Sequence, residues 1–446
     1  MSNFEWHTEE EGARDALKPA LQPGSAPTRR RLVLLVLVIV LVVAGGAYWA
    51  YKATQNHVTE ATERVQEDVQ ASHEVVRQAG LRADLELFHR FVSSADPDWT
   101  LAQEQLVTGG RWLDRSTLDL SWQRTVSSTA AITVSADLLE AEVISQEAYH
   151  YTTSNGAQEV ALLAHTDVYR LGPDRWLFAP PRPEFWGEEA VLNLQRLRLT
   201  YAARDEALAQ RLAGDLNELV ERACNELRDL DCPVYYRLSA HFTRDPRLMQ
   251  DGQPGTLPLW AQEPLALPAP SLIGTPLNEA AYRALFLGYA RHVIAAAIGE
   301  LVGWQCCEPG LFFQVLLEQQ WQQLGLAPAQ PAPQARVYRQ MLQAPVDVGN
   351  ATSLWAQLPV VGDTYSLQSA RVIVNFLQQR FPEASPANWQ RRLFEAEQYA
   401  DWVAAVTGDG TGPALAMGWY SYLYAHADDD EADSAIEAPA QDLVLM

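Results

Sequence analysis

Side chains that can bind a metal or move a proton are sparse in the most apolar helical part of the chain. A helix predicted over residues 277–303 carries His292, and the next predicted helix carries Glu318. A zinc peptidase places H-E-x-x-H on one helix face, because residues i and i+4 both reach the metal while the glutamate activates water. Here Val293 stands at the general-base position and Ala296 at that of the second ligand. One histidine and one glutamate cannot form a three-ligand catalytic zinc site, so we expect neither metal nor catalysis at these positions.

The other histidines fall into no recognisable motif. His89, His150 and His165 have no acidic partner in a familiar pattern, and we expect them to be hydrogen-bonded or exposed. His73-Glu74 begins like a zinc motif but lacks the second histidine. No nucleophile elbow, phosphate-binding loop or dinucleotide fingerprint is present, so we expect no cofactor.

The four cysteines are Cys224, Cys232, Cys306 and Cys307. Cys224 and Cys232 are close in sequence and can pair, whereas a disulfide between the neighbours Cys306 and Cys307 is strained and uncommon. Two bridges that link the two pairs are also open, since four cysteines allow three connectivities. A zinc site is the less favoured alternative, because no histidine lies at finger-like spacing.

One uncharged stretch, residues 32–50, is long enough to cross a bilayer. Arg29, Arg30 and Arg31 precede it directly, which predicts a cytoplasmic N-terminus and an extracytoplasmic remainder by the positive-inside rule. The alternatives are a buried core helix and a signal peptide cleaved near residues 44–47. The long preceding tail and the aromatic residues at the end of the run favour a helix that stays in the membrane. We therefore predict a single-pass protein of the cell membrane.

Charge and composition exclude some partners. The net charge of −23 argues against nucleic acid, which needs basic patches, and against a domain pressed onto anionic lipid. A hydrophobic content of 48% over 446 residues allows two or three domains with real cores. We predict a mixed α+β protein divided into a disordered cytoplasmic tail, a transmembrane helix, a helical stalk, two folded domains and an acidic disordered tail, over residues 1–31, 32–51, 52–79, 80–187, 188–426 and 427–446.

The first predicted domain consists of helices followed by long strands. A helix over 81–95 and a shorter one precede alternating segments at 129–137, 141–151, 160–171 and 175–179. This order, which ends in VYRLGPDRWLFAPP and EFWG, resembles the cone-shaped nuclear transport factor two-like fold. The resemblance implies a small enzyme, a ligand pocket or an association module, and enzymes of that group place an Asp/His pair in the cone.

The second predicted domain has a small sheet and many helices. Strands are predicted at 196–201 and 234–242 and helices at 206–227, 277–303, 311–324, 365–381, 386–397 and 412–424, with Thr275-Pro276 as a helix N-cap and first turn. Trp389, Trp402 and Trp419 are predicted core anchors. The segments TYAARDEALAQRL, YRALFLGYARHVIAAAIGELVG and PGLFFQVLLEQQW are similar in order to gluzincin-like (peptidase MA-like) zinc metallopeptidase domains of bacterial surface proteins. Because the H-E-x-x-H motif is missing, the resemblance implies a degenerate domain without catalysis.

Three functions are compatible with these observations. The first is a membrane-anchored extracytoplasmic binding or scaffold protein that holds a peptide or protein ligand, and it is the one we favour. The second is an enzyme whose site lies unrecognised in the cone-shaped domain. The third is a single-pass sensor, which is weakened by a cytoplasmic tail without an output module.

Overall fold

The computed structural model describes residues 27–110, 112–123, 128–249, 264–304, 310–343, 348, 351–355, 364–408 and 412–428. The chain divides into two compact units, Met1–Arg64 and Val65–Met446. Its fold is mixed α+β, as the sequence predicts.

The N-terminal unit contains the beginning of helix α1, Pro27–Arg82. Every large apolar side chain from Val33 to Val43 is at least 50% exposed. Water around such a run is unfavourable, and the segment is long and apolar enough to be compatible with a single transmembrane span. The tail predicted over residues 1–31 is wrong at its end, since residues 27–31 are helical, and residues 1–26 lie outside the described part.

The second half of α1 corrects the predicted stalk. Within residues 52–79, those from Val65 onward belong to the larger unit, and Val69, Val76 and Ala79 are fully buried. The three- and four-residue spacing of apolar side chains, typical of a weak coiled coil, instead marks a face that packs in a domain core. Only the part of the stalk before Val65 remains outside that unit.

A sheet with helices packed on it forms the first part of the larger unit. Its elements are α2 (Leu85–Phe91), α3 (Pro97–Thr108), β1 (Ser121–Trp122), β2 (Ser128–Val134), β3 (Glu140–Thr152), β4 (Gln158–Leu171) and β5 (Trp176–Phe178). All pairings are antiparallel: β1 and β2 pair with β3, β3 with β4, and β4 with β5. The β3–β4 hairpin turns at Gly156, whose φ of +86° suits a residue without Cβ. The four strands predicted here are thus observed, with boundaries shifted by a few residues.

An aromatic cluster packs the helices against β5. The ring of Phe178 lies 4.9 Å from that of Trp99 and 6.1 Å from that of Trp112, and Phe88 is edge-on to both Phe178 and Trp112. Gly80 of α1 is in direct contact with this cluster, since a Cβ there would lie 2.3 Å from Trp112 Cε3. Because the indole occupies that space, only glycine allows α1 to approach so closely.

A second sheet begins after helix α4, Pro183–Trp186. Its strands, in spatial order, are β6 (Glu189–Asn193), β7 (Leu197–Ala202), β8 (Leu238–Thr243) and β9 (Leu265–Pro268). Strands β6 and β7 are antiparallel, whereas β7, β8 and β9 are parallel. A parallel connection needs a long crossover, and α5, Glu206–Glu226, supplies it between β7 and β8.

The remaining elements are mostly helical. They are α6 (Pro270–Ile273), β10 (Thr275–Pro276), α7 (Glu279–Val302), α8 (Gly310–Gln323), α9 (Ala335–Gln343), α10 (Thr352–Trp355), α11 (Thr364–Arg380), α12 (Pro386–Glu395), α13 (Tyr399–Thr407) and α14 (Pro413–Ala427). Helix α7 is also long and apolar enough to span a membrane, but it is mostly buried as a core helix. Trp389, Trp402 and Trp419 are fully buried, as predicted. Of the acidic tail predicted over 427–446, residues 429–446 lie outside the described part.

Several predicted boundaries are wrong. Thr275-Pro276 is not a helix start but strand β10, which pairs with β4 of the first sheet. The N-cap of α7 is Asn278, whose side chain accepts a hydrogen bond from the Ala281 amide. The strand predicted from residue 234 begins at Leu238. Helices α9, α10 and α13 are not among the predicted elements; α9 follows a Pro- and Gln-rich stretch, whereas α10 and α13 are short.

Candidate functional site

The positions expected for a degenerate metal site do not form a site. His292 is buried, and its Nε2 donates a hydrogen bond to the carbonyl of Thr117. Burial lowers the pKa of His292, so the ring is neutral and consistent with this single donor. Val293 and Ala296 are buried apolar residues in the core face of α7.

Glu318 has a different partner. Its Oε2 accepts a hydrogen bond from Arg371 Nη2 at 2.5 Å, and its Oε1 accepts one from Gln314 at 3.1 Å. His292 and Glu318 therefore bind different partners, which lie in separate parts of the chain. In the part of the chain that the structure describes, no three His, Cys, Asp or Glu side chains are grouped so that they could hold a metal ion.

Among the residues that the structure describes, one disulfide is present. Cys224 in α5 is bonded to Cys232, and their Cα atoms are 5.5 Å apart. The bond closes the loop at the end of α5. Val234 and Tyr235, which follow this loop before β8, are exposed. Cys306 and Cys307 lie outside the described residues.

The most distinctive polar arrangement surrounds a cavity on the inner face of strands β3 and β4, which we call the β3–β4 cavity. It offers about 70 Å³ to the centres of water-sized molecules, which is room for several waters or one small ligand. Its polar lining residues are His73, Arg77, Gln103, Arg115, Ser145, Glu147, His165, Thr166, Asp167 and Ser271. Its aromatic lining residues are Trp99, Trp112, Phe178, Phe185 and Trp186.

A buried ion pair joins α1 to β3 at this cavity. Arg77 Nη2 donates a hydrogen bond to Glu147 Oε2 at 2.9 Å, and both side chains are over 90% buried. Trp122 Nε1 donates to the same oxygen at 2.8 Å, and the Arg77 guanidinium lies 5.6 Å from the Trp122 ring centroid. The carboxylate therefore has two donors, which offsets the desolvation of its charge.

A second pair also joins α1 to the sheet. His73 Nδ1 lies 3.1 Å from Tyr169 Oη and 3.6 Å from Asp167 Oδ2. Burial raises the pKa of Asp167, while His73 and Arg115 act in the opposite direction. Among the described residues, Nε2 of His73 has no hydrogen-bond partner. His73 is thus oriented by its Nδ1 side and lines the cavity.

A chain of hydrogen bonds fixes His165. Tyr149 Oη donates to the Leu113 carbonyl at 3.0 Å, so it accepts from His165 Nε2 at 2.9 Å. His165 Nδ1 then accepts from Arg115 Nη2 at 3.2 Å. Burial, together with the charges of Arg115 and Arg77, lowers the pKa of His165 well below its usual value. The imidazole is therefore neutral, with its proton on Nε2.

Residues from the second half of the chain complete the wall. Met249, Ser271 and Leu272 line the β3–β4 cavity together with the strand residues. Asp205, at the N-terminus of α5, accepts hydrogen bonds from the Ser271 amide at 2.9 Å and from its hydroxyl at 3.1 Å. Burial raises the pKa of Asp205 to about 6. The cavity wall is thus connected to an ionisable group outside it.

Sequence reasoning missed most of this site. His73 and Arg77 were assigned to a stalk, although their four-residue spacing on a helix with a buried valine face could have indicated that both lie near a core. His165, which we predict to be hydrogen-bonded or exposed, is buried and hydrogen-bonded. His89, by contrast, is half-exposed, with Glu104 3.4 Å away. No protein-family model, curated protein or solved structure matches the chain, so the site is defined by its geometry.

Proposed function

We propose that the chain is a single-pass, membrane-anchored extracytoplasmic binding protein whose ligand occupies the β3–β4 cavity. The N-terminal segment is the anchor, with the N-terminus in the cytoplasm. Residues 80–187, joined by the second half of α1, form a nuclear transport factor two-like cone. Residues 188–426 form a gluzincin-like domain without catalysis.

The observation that carries this proposal is the concentration of buried ionisable groups around one cavity. Arg77, Arg115, Glu147 and His165 are all less than 9% exposed. Placing such groups in a core is costly unless they are paired, and an apolar filling would stabilise the cone more. A ligand-binding site is the setting in which a lining of this kind is expected.

The absence of peptidase chemistry in the second domain is supported by its contacts. His292 is occupied by the Thr117 carbonyl and Glu318 by Arg371. The positions of the general base and second ligand carry Val293 and Ala296, which cannot act as either. The second domain contributes to the proposed function by closing the cavity wall with Ser271 and Leu272.

Membrane anchoring is supported by the exposed apolar half of α1 and the arginines before it. Alkaline phosphatase folds only outside the reducing cytoplasm, so its fusion to the C-terminus reports topology. We expect an active enzyme in this fusion and an inactive one when the fusion follows residue 28. The reverse pattern would exclude the proposed orientation.

Ligand binding is tested by native mass spectrometry of the full chain purified in detergent. Ser145 lines the cavity, and Ser145→Phe fills it; Gln146 is the next residue of β3 and is exposed, so Gln146→Phe places the same ring on the other face. We expect a bound small molecule in the wild type and in Gln146→Phe but not in Ser145→Phe. Equal occupancy in both variants, with equal melting temperatures, would contradict a ligand in this cavity.

A second candidate function is enzymatic. The Asp167–His73 pair is of the kind that the cone-type enzymes place in their cavity, and His73 Nε2 is available to accept a proton from a bound molecule. His73→Gln would then abolish turnover of the co-purified molecule while leaving its binding within a few-fold. If the wild type binds the molecule but does not convert it, the enzymatic function is excluded and only the binding function remains.

A further inference from the structure

The strongest unassigned feature of the β3–β4 cavity is the hydrogen bonding of Arg115. This side chain is 5% exposed and lines the cavity. Its Nη1 donates to the carbonyls of Trp112 and Asp114 at 3.1 and 2.9 Å, and its Nη2 donates to neutral His165. All three acceptors are uncharged, so none of them neutralises the guanidinium.

A count of donors shows what is left over. A guanidinium has five N–H groups, and these contacts use three of them. Nε is buried without an acceptor among the described residues, and one N–H of Nη2 also remains. These two nitrogens form one edge of the guanidinium, which is a geometry that binds the two oxygens of a carboxylate.

The acidic groups of the cavity already have other donors. Glu147 accepts from Arg77 and Trp122, and Asp167 faces His73. Arg115 is therefore the arginine of this cavity that has no hydrogen bond to a carboxylate within the described residues. A buried guanidinium without a hydrogen-bonded anion is destabilising.

The rest of the lining restricts the class of anion. Glu147 and Asp167 repel a doubly charged group such as phosphate more strongly than a singly charged one. The rings of Trp99, Trp112 and Phe178 offer an apolar surface to a carbon skeleton. The small volume admits only a compact molecule.

We propose, on the basis of the ligand-binding function proposed above, that the β3–β4 cavity binds a small organic acid whose carboxylate is held by Arg115. The carboxylate accepts from the Nε–H and Nη2–H edge, and the apolar body lies against the aromatic wall. Arg115 is thus a ligand-binding residue, and His165 positions it.

The test compares acids with their neutral isosteres on the full chain in detergent micelles. Acetate, benzoate and phenylacetate are titrated by isothermal calorimetry beside acetamide, benzamide and phenylacetamide. We expect at least one acid to bind at least tenfold more tightly than its amide. If every acid that binds does so no more tightly than its amide, the proposal that Arg115 holds a carboxylate is overturned, whereas the proposal that the cavity binds a ligand is retained. If no probe binds and the wild type carries no co-purified molecule, the proposed function itself fails.

Variants assign the effect to Arg115. Arg115→Gln should remove the preference for the acid, whereas Arg170→Gln, which alters an arginine paired with Glu140 outside the cavity, should retain it. Arg115 also donates hydrogen bonds to two backbone carbonyls, so Arg115→Lys serves as a second variant. It keeps the charge but lacks the two-donor edge, and it should lower the affinity for the acid about tenfold. A folded Arg115→Gln or Arg115→Lys protein that binds the acid like the wild type overturns the role of Arg115.

Discussion

Replacing Glu147 by glutamine tests whether the second half of α1 is part of the domain core. The pair of Arg77 and Glu147 is over 90% buried on both sides and joins residues 70 positions apart, one on α1 and one on β3. If α1 were a free stalk there, this contact would not exist. Glu147→Gln keeps the shape and an acceptor oxygen but leaves the Arg77 guanidinium without its counter-charge.

The expected loss of unfolding free energy is about 3 kcal/mol, which is at the lower end of the range for breaking a buried ion pair on one side. Glutamine retains hydrogen bonds to Arg77 and Trp122, and this keeps the loss from being larger. Arg77→Met removes the stranded charge, so the double variant should be more stable than the sum of the single losses predicts. We expect a coupling energy of about 2 kcal/mol between the two positions.

The assay is guanidinium unfolding of the full chain in micelles, followed by tryptophan fluorescence. Glu140→Gln is the matched control: it makes the same change on the same strand, at a partly exposed carboxylate paired with Arg170, and should lose about 1 kcal/mol or less. Equal losses for Glu147→Gln and Glu140→Gln, or a coupling energy near zero, would refute the packing of α1 on the sheet.

Three further results are expected. The double variant Cys224→Ala/Cys232→Ala should lose about 2.5 kcal/mol of unfolding free energy, as loop-closure entropy predicts for a short loop; unchanged denaturation midpoints would contradict this. Gly80→Ala should lower the melting temperature, because its Cβ meets the Trp112 ring, and Gly80→Ala in a Trp112→Leu background should lose less. The raised pKa of Asp205, about 6, means that the folded state takes up a proton more readily than the unfolded chain. Its contribution is complete only below the unfolded pKa near 4 and disappears as pH rises through 6, so acidification from pH 7 to 4 should stabilise the wild type relative to Asp205→Asn by about 2.4 kcal/mol. Parallel pH profiles for the two proteins would contradict the buried carboxyl.

Local patterns in the sequence were sufficient for most elements and for part of the core. Alternating residues predicted β3 and β4, and Trp389, Trp402 and Trp419, predicted as core anchors, are fully buried. The helical period in residues 58–76 predicted a helical stalk; the helix is observed, and its apolar face is fully buried at Val69 and Val76 but exposed at Val58. The period did not indicate what covers that face, because a coiled-coil partner and a β-sheet require the same spacing.

The candidate site could not be predicted because its partners are far apart in sequence. His73 meets Tyr169 across 96 residues and Arg77 meets Glu147 across 70. A motif search finds residues that share one helix or loop, whereas this site is assembled from α1, the loop before β1 and the inner face of two strands. The most motif-like feature, His292 with its neighbours, is by contrast engaged in ordinary core contacts.

The polar lining of the β3–β4 cavity conflicts with the stability of the core around it. Fully apolar side chains at the positions of Arg77, Glu147 and Arg115 would avoid the desolvation of three charges. Elsewhere in the same core the packing is apolar and aromatic, as around Phe178 and Trp112. A local departure from core rules within an otherwise consistent core is what a functional site produces. Since Arg115 alone among these three has only neutral acceptors, the departure is largest at the residue for which we propose a ligand.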